Sequence, residues 1–138
     1  MVPADELIEF VWGSAPPSSV RATLQNYISR LRSTLTDVGE PRIRTLPHGY
    51  LITVLDDELD VSRFEGLRAQ AAIAVHAGDW NRAAQQLRAA LSLWHGEPLA
   101  DVPSEPLRAR AVPRLTELRL QAVESRLRWT CGWGGTPR

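Results

Sequence analysis

Apolar residues recur at helical spacing along most of this 138-residue chain, and a short β-rich stretch interrupts them. Leu7, Ile8, Val11 and Trp12 form one stripe, which predicts a short helix over residues 3–12. Pro3 suits its first turn, Asp5 and Glu6 suit its positive end, and Gly13 stops it before the loop Ser14-Ala15-Pro16-Pro17. Val20, Leu24, Ile28, Leu31 and Leu35 follow at spacings of four, four, three and four. They predict a second helix over 18–35, with Ser18 or Ser19 as its cap. A turn spans Thr36 to Arg42. Two β-rich runs, Ile43–Leu46 and Tyr50–Val54, then flank Pro47-His48-Gly49 and read as a hairpin.

Beyond the acidic break Asp56-Asp57-Glu58 the pattern is helical throughout. One helix carries Phe64, Leu67, Ala71, Ala74 and Val75, with Asp60 or Ser62 as its cap. The Gly78-Asp79 turn leads into a helix carrying Trp80, Ala83, Ala84, Leu87, Leu91 and Trp94. Small residues at close spacing on both predict a tight antiparallel pair, like one unit of a tetratricopeptide solenoid. Such a pair does not bury its own apolar face and needs neighbours. After a proline-rich loop, a long helix runs from Leu107 to about Trp129, with Leu115, Leu118, Ala122 and Leu127 on its apolar side and Pro113 as a kink point. Trp80 and Trp94, both at helical spacing, are expected in the core.

The second predicted helix has an unusual polar side. Opposite its apolar stripe lie Ala22, Asn26, Ser29 and Ser33, all small. Arg21, Gln25, Arg30 and Arg32 lie on its flanks. A helix exposed only to water ordinarily carries long charged residues at its outer centre. A slim polar centre between guanidinium groups lets a helix enter a DNA groove and grip the phosphates on either side. Charge supports this reading. The chain holds 16 basic and 16 acidic residues, for zero net charge, yet 18–50 carries five arginines against Asp37 and Glu40. Residues 56–107 carry nine acids against four arginines. A basic segment beside an acidic one suits a nucleic-acid-binding part joined to a part with another task.

Composition excludes several alternatives. Every basic side chain is arginine, which removes the lysine of a phosphate-binding loop and any lysine Schiff base. The histidines His48, His76 and His95 are isolated, so no metal site is expected, and no catalytic motif or cofactor loop occurs. No stretch resembles a membrane span or a signal peptide, and the single cysteine, Cys131, forms no internal disulfide, so a cytoplasmic, non-enzymatic protein is expected.

Leu7-Ile8, Val11-Trp12-Gly13, Pro16-Pro17, Thr23-Leu24-Gln25, Tyr27 through Arg32, and Gly49-Tyr50-Leu51 occur in an order that resembles the SARP family of antibiotic-pathway regulators, the AfsR/DnrI/RedD type. Asp60, Phe64, Ala71, Gly78-Asp79, Ala83-Ala84, Leu87, Leu93-Trp94, Gly96, Pro98-Leu99 and Leu118-Arg119 resemble that family's activation domain. The resemblance implies a mainly α fold. A partial winged helix-turn-helix with a β-hairpin wing would occupy 1–55, and a tetratricopeptide-like activation domain 56–128. It implies promoter DNA and RNA polymerase as partners, with homo-oligomers on direct repeats. Helix 18–35 would be the recognition helix and hairpin 43–54 the wing. The DNA-binding set would be Arg21, Asn26, Tyr27, Ser29, Arg30, Arg32, Arg44, Thr45 and His48, and Ser14, Pro16 and Pro17 would form the polymerase-contact loop.

Three departures from the family pattern stand out. Leu46 replaces the usual wing arginine. The small sheet and first helix that precede the Leu7 segment in the family are missing, so Leu7, Val11, Leu24, Ile28 and Leu31 are expected to be partly uncovered and DNA binding weakened. Finally, residues 129–138 read as a frameshifted, disordered tail. Written in GC-rich codons and read with one extra leading G, the start of that tail spells the family's continuation, which makes Cys131 accidental. The competing function is a protein-interaction module built from the 60–128 helices with vestigial DNA binding, or a non-functional gene remnant.

Overall fold

The computed structural model describes residues 1–35 and 41–130. The expected turn after Leu35 falls largely outside the described residues, as do Cys131 and most of the expected tail. The chain packs as two units. The first comprises Met1–Val54 with Val102–Ala109. The second comprises Leu55–Asp101 and the described residues from Arg110 onward.

In the first unit, β1 (Val2–Pro3), α1 (Ala4–Trp12), α2 (Val20–Thr34), β2 (Ile43–Leu46) and β3 (Gly49–Ile52) follow in order. The expected hairpin forms, with Ile43 opposite Ile52 and Leu46 opposite Gly49. A third strand was not expected: β1 adds antiparallel to β3, pairing Val2 with Tyr50 and Pro3 with Gly49, so β3 is central in the order β1-β3-β2. Proline is tolerated there because β1 is an edge. Gly49 is required there by space, since a Cβ at this position would stand 2.1 Å from the Val2 carbonyl oxygen.

Among the described residues, Leu24 and Ile28 from α2 and Ile43 from β2 form the buried core of this unit. Ala4, Leu7, Ile8, Trp12 and Tyr50 pack against them. Leu24 and Ile28 are therefore covered, contrary to expectation, because α1 and the sheet close over that side of α2. Val11 and Leu31, at 52% and 47% exposure, remain open as expected. The Ser19 side chain makes no capping bond to α2, again contrary to expectation. Its carbonyl instead accepts from the Thr23 amide and hydroxyl, at 3.0 and 3.1 Å. Ser104, also in this unit, bonds the Phe10 carbonyl and accepts from the Leu107 amide.

In the second unit, α3 (Asp60–His76) and α4 (Trp80–Ser92) form a tight helical pair, and the long α5 (Glu105–Thr130) contributes from Arg110 onward. Asp79 caps α4 by accepting from the Arg82 amide at 3.0 Å. Ala71, Ala74, Ala83 and Ala90 are buried on α3 and α4, and their small side chains let backbones approach closely. Phe64 and Leu87 fill the space between them, with Ala122 of α5. Trp94 is core as expected and meets Phe64 edge-on at 5.2 Å. Trp80 is not, being 51% exposed at the start of α4. Pro113 lies within α5, and the helix continues through Thr130, so Trp129 packs against this core. Among the described residues no helix is long and apolar enough to cross a membrane.

Candidate nucleic-acid interface

Helix α2 is fixed from behind. Leu24 and Ile28 point into the core, so the opposite face is held outward, and Ala22, Asn26, Ser29 and Ser33 are all exposed there. The flanking arginines differ from one another. Arg21 pairs with Asp5 of α1 at 2.9 Å, with both side chains largely in solvent. Such a pair contributes about 0–1 kcal/mol and exchanges readily for another anion. Arg30 is exposed on the other flank. Arg32 turns inward: its Nε donates to the Ile43 carbonyl at 2.9 Å, and its Nη2 to the Thr45 hydroxyl at 2.6 Å. Tyr27 stacks on Trp12 of α1, with ring centroids 5.7 Å apart and planes 10° from parallel.

The hairpin places its residues on two sides. Side chains alternate along a strand. Ile43 is buried toward α2 and Thr45 bonds Arg32, so Arg44 projects from the opposite face. His48 sits in the turn, where its backbone carbonyl accepts from the Ala4 amide at 3.1 Å and ties the turn to α1. A cavity of about 310 Å³ between the start of α2 and the hairpin turn is lined by Asp5, Arg21, Gln25, Thr45 and His48, among others. The structure thus gathers Arg21, Thr45 and His48 around one cleft and leaves Arg44 on another side. Ser14, Pro16 and Pro17 are exposed in the loop between α1 and α2. Its ends are pinned by Ala15 to Trp12 and by Val20 to Pro17 backbone bonds.

Sequence reasoning missed Asp5 and, although it named Arg32 as a DNA-binding residue, did not foresee the bonds Arg32 makes within the fold. Asp5 carries no periodic signal linking it to Arg21, sixteen residues away. Arg32 did carry one, because it extends the Leu24–Ile28 row by another step of four, onto the side of α2 that meets the sheet.

A helix presented by a small core and flanked by an antiparallel hairpin, followed by a helical unit built from a tight pair, defines a winged-helix regulator with a tetratricopeptide-like second part. Residues 59–136 match the bacterial transcriptional activator domain. Over 124 residues the chain is 40% identical to the regulatory protein AfsR of Streptomyces griseus, covering 90% of this chain and 12% of that protein. It is 34% identical to the regulatory protein DnrI of Streptomyces peucetius, covering 92% of this chain and 50% of that one. Among solved structures, Mycobacterium tuberculosis EmbR in complex with a low-affinity phosphopeptide superposes with a TM-score of 0.87 at 28% identity, over 94% of this chain and 35% of that one. The chain belongs to the bacterial transcriptional activator domain family, among the SARP-type transcriptional regulators, a family of regulators and not of enzymes. It spans between 12% and 50% of the length of these curated relatives.

Proposed function

We propose that this chain binds promoter DNA through α2 and uses the β2–β3 hairpin as a wing, as part of a transcriptional activator of secondary metabolism. The observation that carries the reading is the exposed row Ala22, Asn26, Ser29 and Ser33, held outward by buried Leu24 and Ile28 between arginine flanks. Small side chains let the helix backbone approach base edges, and Asn26 and Ser29 supply the donors and acceptors that read them. Arg30 and Arg21 grip phosphates on the two sides, Arg21 by exchanging Asp5 for a phosphate oxygen. His48 and Thr45 border the cleft that the backbone would follow, and Arg44 adds positive charge on the far side of the wing. Tyr27 serves this surface by stacking on Trp12 and setting the roll of α2 on α1. The loop bearing Ser14, Pro16 and Pro17 offers RNA polymerase an exposed rigid edge, and residues 56–128 act as the activation part.

Titration of the whole chain against promoter DNA over a salt series tests this. Affinity should fall with a log–log slope of about −0.9 per neutralised phosphate. Arg30→Ala should make that slope shallower by about 0.9, whereas Arg88→Ala on α4 should leave it unchanged. Nucleic acid mapped by NMR away from α2 and the hairpin would overturn the reading. A second reading, a protein-interaction or self-association module, draws on the exposed Trp80, Leu120 and Leu127 of the second unit. Light scattering across a concentration series separates it: self-association without DNA affinity favours the module.

A further inference from the structure

Arg32 of α2 makes two hydrogen bonds to β2 from a guanidinium turned toward the sheet. Among the described residues strand β2 is an edge of the sheet, paired with β3. In an antiparallel ladder alternate carbonyls point to the partner and away from it. The Arg42 carbonyl accepts from the Thr53 amide, so the next one along, that of Ile43, faces outward without a ladder partner. That outward carbonyl is the one Arg32 Nε reaches, at 2.9 Å. Two residues on, the Thr45 hydroxyl accepts from Nη2 of the same guanidinium. Arg32 therefore spans one full side-chain repeat of the edge strand with a planar fork of donors, from a position two helical steps beyond Leu24 on α2. Ile43, whose carbonyl it holds, is itself part of the buried core beneath α2.

We propose that Arg32 is a positioning residue that locks the wing to the recognition helix, with Thr45 as its receiver, and that neither makes its main contribution by touching phosphate. The inference rests on the DNA-binding reading above for its functional consequence, though not for its structural one. Ile43 and Tyr50 pack the hairpin on the core, and the Ala4–His48 bond and β1 hold its turn and β3, but none of these is a polar tie between β2 and α2. Two charge-assisted bonds at adjacent outward positions fix the hairpin's register against the helix. A wing held at one height above α2 presents its turn and α2 to one duplex at the same time. The ordering is complete before DNA arrives, which reduces the entropy lost on binding.

Two measurements on the whole chain decide it. First, amide hydrogen exchange without DNA: Arg32→Ala should speed exchange across residues 43–52 by about tenfold, the equivalent of about 1.4 kcal/mol, and leave α3 and α4 unchanged. Thr45→Val, which keeps the guanidinium charge, should give a smaller rise of the same distribution. The double variant should show less than the product of the two, because both remove one interaction. Second, DNA titration over salt: Arg32→Ala should lower affinity about tenfold while the log–log slope stays that of wild type, and Arg32→Lys should not restore it, since an ammonium lacks the planar fork. Unchanged hairpin exchange in both single variants, or a slope shallower by about 0.9 in Arg32→Ala, would overturn the proposal and make Arg32 a phosphate ligand. If wild type shows no DNA affinity, the DNA-binding reading fails while the exchange data still judge the lock. Should Arg32→Ala lose its helical circular dichroism, Thr45→Val alone carries the test, and wild-type exchange in it would count against the lock.

Discussion

The two units solve the same problem by different means. The second unit is held by depth: Phe64, Leu87 and a set of buried alanines bring α3 and α4 close, and Ala122 of α5 joins the same cluster. The first unit has little depth. Among the described residues three aliphatic side chains form its buried core, and exposed apolar side chains remain at Val11, Leu31 and Leu35. What it lacks in buried area it supplements with specific ties: the Arg32 bonds to β2, the close approach at Gly49, the Trp12–Tyr27 stack and the His48 carbonyl bond to Ala4. A shallow unit of this kind keeps one face of α2 free for a partner. The second unit also leaves apolar side chains open, at Ile73, Trp80, Leu120 and Leu127, around its deeper centre.

That contrast can be broken at several points. The largest effect is expected at Phe64, which is fully buried and meets both the Trp94 ring and the Arg68 guanidinium. Phe64→Ala should cost about 3–5 kcal/mol, read by chemical denaturation, with loss of protection in α3 and α4. Ile28→Ala should cost about 2–3 kcal/mol, at the lower end for a buried aliphatic because the thin core around it collapses more easily, and its effect should be confined to residues 1–54. An equal cost at both sites would show that the first unit is packed as deeply as the second.

Smaller substitutions sharpen the contrast. Gly49→Ala places a methyl against the Val2 carbonyl and should cost about 1–3 kcal/mol, with β1 released while the β2–β3 hairpin persists; NMR of the Val2 and Tyr50 amides checks this. Asp5→Ala should change stability by less than about 1 kcal/mol, since the ion pair to Arg21 is exposed. It should also strengthen DNA binding a few-fold at low salt by freeing Arg21, an effect that vanishes as salt rises.

Much of this was legible beforehand. The stripes at Leu7–Trp12 and Leu24–Leu35, the Pro-His-Gly turn and the Gly78-Asp79 junction located α1, α2, the hairpin and the α3–α4 pair. Asp79 was legible as a cap because capping acts over three residues. The outward row on α2 was legible for the same reason, since a helix dictates which residues share a face. Strand β1 was not: two residues, one of them proline, carry no period, and their partners lie nearly fifty positions away. Trp80 was read as core because helical spacing placed it in the row of Ala83, Ala84 and Leu87, whereas it begins α4, where the row runs past the end of its cover.

Periodicity along the chain therefore determined which elements form, which side of each is apolar, and that α2 shows a slim polar front. Local geometry sets all of these, and local geometry is written in residues a few positions apart. The tertiary structure alone decided that Arg21 faces Asp5, that Arg32 holds the edge of β2, and that a third strand completes the sheet. Those outcomes depend on which distant segments lie side by side, and pairing between distant segments leaves no regular spacing in a linear chain.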